Sequence, residues 1–475
     1  MTSSETAGRT GAVIATLAAV GIVLLLALFL LSVTGRRAQC PVGPICDGGV
    51  DPDDREEVAN VVPQQASSPL PPFVLVPGLA GSQLEARWSS SDDSENLRPH
   101  AFCAPCSDWA PLWLSASAVL PLERDCWRAR MQTRYDDASG SLRSARGVCV
   151  RARDFGGVDG IATLGSVLGL TPSDMVYFRP TIDALQSFGY VVGSSLFAAP
   201  YDWRLCVDDE YLRRYFARLR DLIERAVAAA GGRPANVVTH SLGCAVFHRF
   251  LLFADGIDES WRRTHVAAWV AASPPFAGAS MALRAVLSGA TEGLPLGTQF
   301  LRGLERLFGC FAWMLPDWRT FGPLAVVATP QRSYTTQPDD LDAALVAAGA
   351  VQTRDMWRRL VEPRLRDRAY EWPTGLNAAH LVYGCGVPTE LSYDYASAEA
   401  MNAQDQSPTV HYDPNGDGTV PSISLRANDA WAEQQPDRVA VLALPSVNHT
   451  GVLSAPPFLA LLARLARLPA HDLSS

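Results

Sequence analysis

A serine, an aspartate and a histidine follow one another in an order suited to ester chemistry: Ser241, Asp417 and His449. A neutral serine hydroxyl is a weak nucleophile. It needs a base within hydrogen-bond reach and an acid that orients the base. Ser241 lies in the stretch 236–249, N-V-V-T-H-S-L-G-C-A-V-F-H-R. The β-branched Val237 and Val238 lead into it, Gly243 follows, and a helical pattern begins at once. Strand, sharp turn and helix make the setting of a nucleophile elbow, which lifts one side chain above the sheet edge. The usual pattern is G-x-S-x-G, and Thr239 replaces its first glycine. The bland alternative is an ordinary serine in a strand–helix turn.

The base and acid are sought downstream, because the elbow architecture orders them serine, acid, histidine. Of eight histidines, His380, His411 and His449 are the candidates among those in the C-terminal third, where His471 also lies. His449 follows the last expected strand, in the turn-rich run P-S-V-N-H-T-G, and is the expected base. His380 is expected just before a strand and reads as structural. His240 adjoins the serine but points the other way, as core or as support for the site. The run 413–421, D-P-N-G-D-G-T-V-P, offers the acid. Asp417, between two glycines, is preferred, with Asp413 as the fallback. D-x-N-x-D-G also resembles the opening of a calcium loop, but Ser424 stands where its closing Glu belongs, so calcium is rejected.

These residues need a sheet beneath them. Residues 73–76 read as a buried strand running into P-G-L-A-G-S. A nucleotide P-loop is excluded, since its G-K-S/T is missing, and the loop suits an oxyanion-hole donor instead. Residues 189–196 read as a second strand, followed by A-A-P-Y-D-W-R. Apolar residues at 212, 216, 219, 223, 226 and 227 predict a helix over 211–230, ending at Gly231 and Gly232. Further strands are expected at 266–272, 381–383 and 439–443. Strand–helix–strand units predict an α/β fold with a parallel sheet. The apolar stretch 293–317 parses as no clean element and reads as a mobile lid or as core. The segment 103–126 is rich in tryptophan, which suits a water–lipid boundary or ordinary packing.

The 475 residues are 48% hydrophobic with a net charge of −9, which argues against a nucleic-acid partner. All basic residues are arginine, read as coding bias. An apolar run at 12–34 would span roughly 33 Å as a helix, enough for one membrane crossing. It predicts a signal anchor after a short tail, 1–11, with a cleaved signal peptide as the alternative. An acidic, proline-rich linker follows over 35–70. Ten cysteines in no zinc pattern favour an oxidising lumen for the body, outweighing the arginines that follow the apolar run.

Several stretches together resemble the lecithin:cholesterol acyltransferase family, which includes lysosomal phospholipase A and phospholipid:diacylglycerol acyltransferase. They are L-V-P-G-L-A-G-S-Q-L-E-A (75–86), L-P-L-E-R-D-C-W (120–127), A-P-Y-D-W-R (199–204), H-S-L-G-C (240–244), Y-G-C-G-V-P-T (383–389), G-D-G-T-V (416–420) and N-H (448–449). The resemblance implies an α/β-hydrolase fold over 71–470, with a membrane-binding insertion near 88–150 and a lid or cap near 276–378. It implies Ser241, Asp417 and His449 as triad, and the backbone N–H groups of Leu79 and Leu242 as oxyanion hole. It also implies a Cys103–Cys126 disulfide closing a lipid-binding segment that carries Trp109, Trp113 and Leu114, and a free Cys244 near the site. The expected activity is transfer of an acyl group from a membrane phospholipid to a lipid alcohol, with phospholipase A hydrolysis as the alternative and a non-catalytic lipid-binding role as the second. No cofactor or metal is implied. This chain departs from the family in Pro275-Phe276-Ala277-Gly278, in lacking cysteines for a second family disulfide, and in its extra cysteines. The N-H-T acceptor pattern at 448–450 contains the base itself, and it is expected to stay unglycosylated.

Overall fold

Short runs of small and β-branched apolar residues, each running into a turn, assemble one parallel sheet. The computed structural model describes residues 70–88, 106–115, 123–165, 175–290, 297–403 and 407–467. Six strands form the sheet: β1 (Phe73–Val76), β2 (Leu196–Ala198), β3 (Ala235–His240), β4 (Val266–Ala272), β5 (Ala379–Cys385) and β6 (Val439–Pro445). Their spatial order is β6-β5-β4-β3-β1-β2, and every neighbouring pair is parallel. Every residue of β1, β3 and β4 is buried, because helices cover both faces of a parallel sheet.

Alternate side chains feed two apolar layers. Val74, Val76, Val237 and Trp269 face a layer that includes the helix Asp209–Ala229 and the helix Leu242–Phe253. Phe73, Leu75, Val238 and Val270 face the other, with the helix Arg179–Ser187 and the helix Pro456–Arg467. Helix Asp209–Ala229 buries Leu212, Phe216, Leu219, Ile223, Ala226 and Val227, the positions its spacing predicts. Asp208 caps its start by accepting from Tyr211 N–H, and Gly231 and Gly232 take positive φ just past its end.

Three smaller sheets flank this core, two of them antiparallel and the four-stranded one mixed, with Ala325–Ala328 parallel to Val387–Asp394. One joins Cys106–Trp113, Leu84–Trp88 and Val148–Ala152 in that spatial order. The A-P-Y-D-W-R run holds down the helix Arg124–Met131 and the strand Ser141–Ser144 next to it in the chain. Arg204 is fully buried, with Nη2 2.6 Å from Asp202 Oδ2 and Nε 2.9 Å from Oδ1. The same guanidinium donates to Met131 O at 3.0 Å and to Ser144 Oγ at 3.1 Å.

Two expectations change, and one open alternative is decided. The strand expected over 189–196 begins only at Leu196. Ser195 and Leu196 N–H both turn back onto Val191 O, and Gly193 takes a φ of 77°, so the β-branched Val191 and Val192 sit in a turn. The apolar patch within 293–317 is core. Gly309–Trp313 is a short helix, Phe311, Trp313, Met314 and Leu315 are buried, and Met314 O accepts from Ala279 N–H. His380 lies inside β5, where burial, and then the positive charge of Arg464, push its pKa down to about 4. The expected anchor at 12–34 lies outside the described residues. Among the described residues no helix is long and apolar enough to cross a membrane.

Candidate active site

The carboxyl ends of β1, β3 and β4 finish level, with Val76 paired to Thr239 and His240 to Ala272. Ser241 stands just past β3 with φ 53° and ψ −131°, a conformation a non-glycine residue adopts only when its surroundings enforce it. They do so here through Ser241 N–H, which donates to Ala272 O at 2.9 Å, and through two close backbone approaches. A Cβ on Gly243 would stand 2.3 Å from Pro77 O, and one on Gly78 would stand 2.7 Å from Ser241 Cβ. Thr239 is accommodated because this position faces into the sheet packing. Its hydroxyl accepts from Trp269 Nε1 at 2.9 Å and approaches Cys244 Sγ at 3.1 Å. Cys244 is a free thiol, fully buried, and burial pushes its pKa up, so it is no competing nucleophile.

The strand Thr409–Gly416 delivers Asp417, and the loop after β6 delivers His449. His449 Nδ1 lies 2.7 Å from Asp417 Oδ2, and His449 N–H donates to Asp417 O at 2.8 Å. The other carboxylate oxygen of Asp417 accepts from Val420 N–H at 2.7 Å and Thr419 N–H at 3.0 Å. Burial alone would raise the Asp417 pKa. The neighbouring His449 and these N–H donors outweigh it and hold the carboxyl below its ordinary range. The His449 ring stands 4.8 Å, centre to centre, from that of His240, the residue before Ser241. Asp413, the fallback acid, instead accepts from Asn415 N–H and Ser422 N–H and shapes the loop. His411 pairs with Asp394 on an exposed edge. A glycine the sequence reading passed over is also required: a Cβ on Gly384 would stand 1.9 Å from Val447 O.

The family model for lecithin:cholesterol acyltransferase matches residues 109–344. A bovine (Bos taurus) lysosomal phospholipase A and acyltransferase is 32% identical over 83% of this chain and 91% of its own length. A rice (Oryza sativa subsp. japonica) lecithin-cholesterol acyltransferase-like 1 protein is 31% identical over 82% of this chain and 84% of its own length. Mouse (Mus musculus) phosphatidylcholine-sterol acyltransferase is 27% identical over 80% of this chain and 82% of its own length. The chain belongs to the lecithin:cholesterol acyltransferase family. It is an enzyme of the acyltransferase and phospholipase class. The parallel sheet with its elbow is the α/β-hydrolase fold.

Within that family frame, Leu242 opens the helix after the serine, and Leu79 is half-buried in the loop whose Gly78 abuts Ser241. The three residues expected to meet lipid are half-buried. Trp109 lies between guanidinium groups, with Arg151 at 4.4 Å and Arg87 at 4.9 Å. Trp113 turns inward: its Nε1 donates to Ala80 O at 2.8 Å, and its ring meets Trp203 at 5.2 Å and Trp127 at 6.3 Å. Leu114 N–H donates to Leu164 O. Cys126 is disulfide-bonded, as is Cys149, while Cys103 lies outside the described residues.

Sequence reasoning missed Tyr177 and Ser273. Tyr177 Oη accepts from Gly78 N–H at 2.9 Å and lies 2.6 Å from His240 Nδ1. Ser273, at φ 50°, donates to His449 O at 3.0 Å. Neither belongs to a motif. Only their position, Ser273 at a strand's carboxyl end and Tyr177 before a helix, could have drawn attention.

Proposed function

We propose that the protein is a serine-dependent lipid acyltransferase that moves a fatty acyl group from a glycerophospholipid to a lipid alcohol, a sterol or diacylglycerol, through an acyl-serine. The observation that carries this is the Asp417–His449 pair, 2.7 Å apart and seated beside the Ser241 elbow. Ser241 Oγ attacks the ester carbonyl while His449 Nε2 takes its proton and Asp417 holds the ring through Nδ1. The carbonyl oxygen becomes an oxyanion, stabilised by the N–H groups of Leu79 and Leu242. His449 returns the proton to the departing lyso-lipid. An incoming hydroxyl then gives its proton to His449 and attacks the acyl-serine, and His449 passes that proton to Ser241 Oγ as the bond to the acyl carbon breaks and the new ester leaves.

Water can play the same part, which is phospholipase A activity. The burial of Phe311–Leu315 favours this second reading, because that apolar stretch packs into the core and adds no wall against water. Against it, the donor and acceptor both reside in membrane, where lipid hydroxyls are concentrated. We place the catalytic domain in a secretory or lysosome-like lumen, held by a single span at 12–34, with Trp109 and Leu114 meeting lipid beside the inward-turned Trp113, on a segment closed by Cys103–Cys126. The named lysosomal relative and the disulfide-bonded Cys126 support that placement.

Phosphatidylcholine vesicles labelled in the acyl chain, with a sterol, diacylglycerol or neither, test the reading. Labelled sterol ester or triacylglycerol is expected beside some free fatty acid. Free fatty acid and lyso-lipid alone with every acceptor would leave a phospholipase.

A further inference from the structure

A buried polar chain lies behind Ser241 and His449. It runs from the Gly78 N–H through Tyr177 Oη and the His240 ring to the His449 carbonyl. Its last link fixes every proton in it. His240 Nε2 is 3.0 Å from His449 O, and a carbonyl only accepts, so Nε2 carries the hydrogen. In the neutral ring Nδ1 is then an acceptor, so Tyr177 O–H donates to it at 2.6 Å. The tyrosine oxygen is left to accept from Gly78 N–H at 2.9 Å.

The ring stays neutral because burial, and then the adjacent His449, push the His240 pKa down to about 3. Tyr177 and His240 are both buried, so neither can exchange these partners for water. The chain begins on the loop that carries Leu79 and ends on the backbone of the base. Its middle residue is the one before the nucleophile. We propose that Tyr177 and His240 are positioning residues that couple the oxyanion loop to the base through the elbow; this rests on the reaction proposed at Ser241. Neither touches substrate. A small displacement of either end costs rate, because the oxyanion donors and the base act only at correct distance.

Tyr177→Phe removes one oxygen and keeps the ring. Turnover on a water-soluble short-chain ester, per site titrated with a fluorophosphonate, should fall tenfold or more with KM within about threefold. Tyr190→Phe is the matched control. It deletes another buried tyrosine hydroxyl, bonded to Pro71 O at 3.0 Å, and should leave kcat per site unchanged. At position 240, His240→Gln keeps a donor long enough to reach His449 O and should retain most activity. His240→Asn is too short and should lose as much as Tyr177→Phe. If Tyr177→Phe does not fold, the pair at 240 decides alone. Equal kcat in the two 240 variants, or a Tyr177→Phe effect no larger than that of Tyr190→Phe, would overturn the coupling while leaving Ser241 as nucleophile. Wild type that the probe does not label would overturn the reaction itself and the coupling with it.

Discussion

Two buried polar networks divide the labour of this molecule, and they are built of different materials. Behind the triad, neutral groups are joined end to end and finish on backbone: Tyr177, His240 and the carbonyl of His449. Where the helix Arg124–Met131 and the strand Ser141–Ser144 attach, a full charge pair does the holding, with Arg204 and Asp202 both almost wholly buried. A buried ion pair is rigid and intolerant of losing one member. A neutral chain holds geometry without imposing a field, and it leaves Asp417 as the charge that faces His449. If the first network serves the proposed chemistry and the second serves attachment, they should break differently.

The largest effect is expected at the triad, on rate alone. Ser241→Ala and Asp417→Asn should each lower kcat on a soluble ester by roughly 10³-fold or more, with the unfolding midpoint little changed for Ser241→Ala. Asp417→Asn leaves His449 Nδ1 free to adopt the wrong tautomer. Ester assays beside thermal melts check this, and full activity in both variants would break the division at once.

This end of the molecule was also the more legible one. The turn at Ser241 and the Asp417–His449 contact could be anticipated because chain order and turn-forming neighbours are local facts that the fold merely brings together. The strands at 73–76 and 266–272 were legible for the same reason: a buried parallel strand is a short apolar run between turns. Tyr177 was illegible, since it reaches His240 across 63 residues and no motif surrounds it. The aromatic stretches failed differently. Tryptophan and leucine have the same composition whether they face lipid or core, so Trp113 and Phe311–Leu315 could be placed only by their partners.

Next in size is the attachment network. Arg204→Ala strands the Asp202 carboxylate and removes the donors to Met131 O and Ser144 Oγ. A loss of about 3–5 kcal/mol is expected from breaking such a pair. Chemical denaturation should show it as a lowered midpoint. Activity per folded molecule at low temperature should persist, which Asp417→Asn cannot match.

Acid separates the networks again. His240 and His248 are buried and neutral, held down to about 3 and about 4, chiefly by burial. The unfolded chain takes up protons near pH 6.5 and the native chain does not. Their contribution is therefore fully present above about pH 6.5 and is lost as the pH falls toward 4. At pH 5 each costs about 2 kcal/mol of stability. Asp417, with its pKa lowered, adds a further loss only at more acid pH, below the ordinary carboxylate range. His248→Gln keeps a donor for Glu371 O, which His248 Nε2 meets at 2.8 Å, and removes the titration. Its melting temperature should fall less than that of wild type between pH 7 and pH 5. An identical pH dependence in the two proteins would place the acid sensitivity elsewhere.

The smallest effect falls where the two networks meet. Trp113 packs its ring on Trp203, the residue between Asp202 and Arg204, while its Nε1 holds Ala80 O in the oxyanion loop. Trp109, four residues earlier on the same strand, carries the guanidinium groups of Arg87 and Arg151 against its ring. Trp113→Phe keeps most of the ring contact and deletes the hydrogen bond, a change of about 1 kcal/mol in stability. If Trp113 links attachment to chemistry, kcat on a soluble ester should fall a few-fold, because Ala80 neighbours Leu79. Trp109→Ala should leave the soluble-ester rate alone and lower only the rate on vesicles, as expected of a side chain that meets lipid. Were both variants to lose vesicle activity alone, Trp113 would be a lipid contact like its neighbour, and the oxyanion loop would owe its position to Tyr177 and the elbow without help from the flanking sheet.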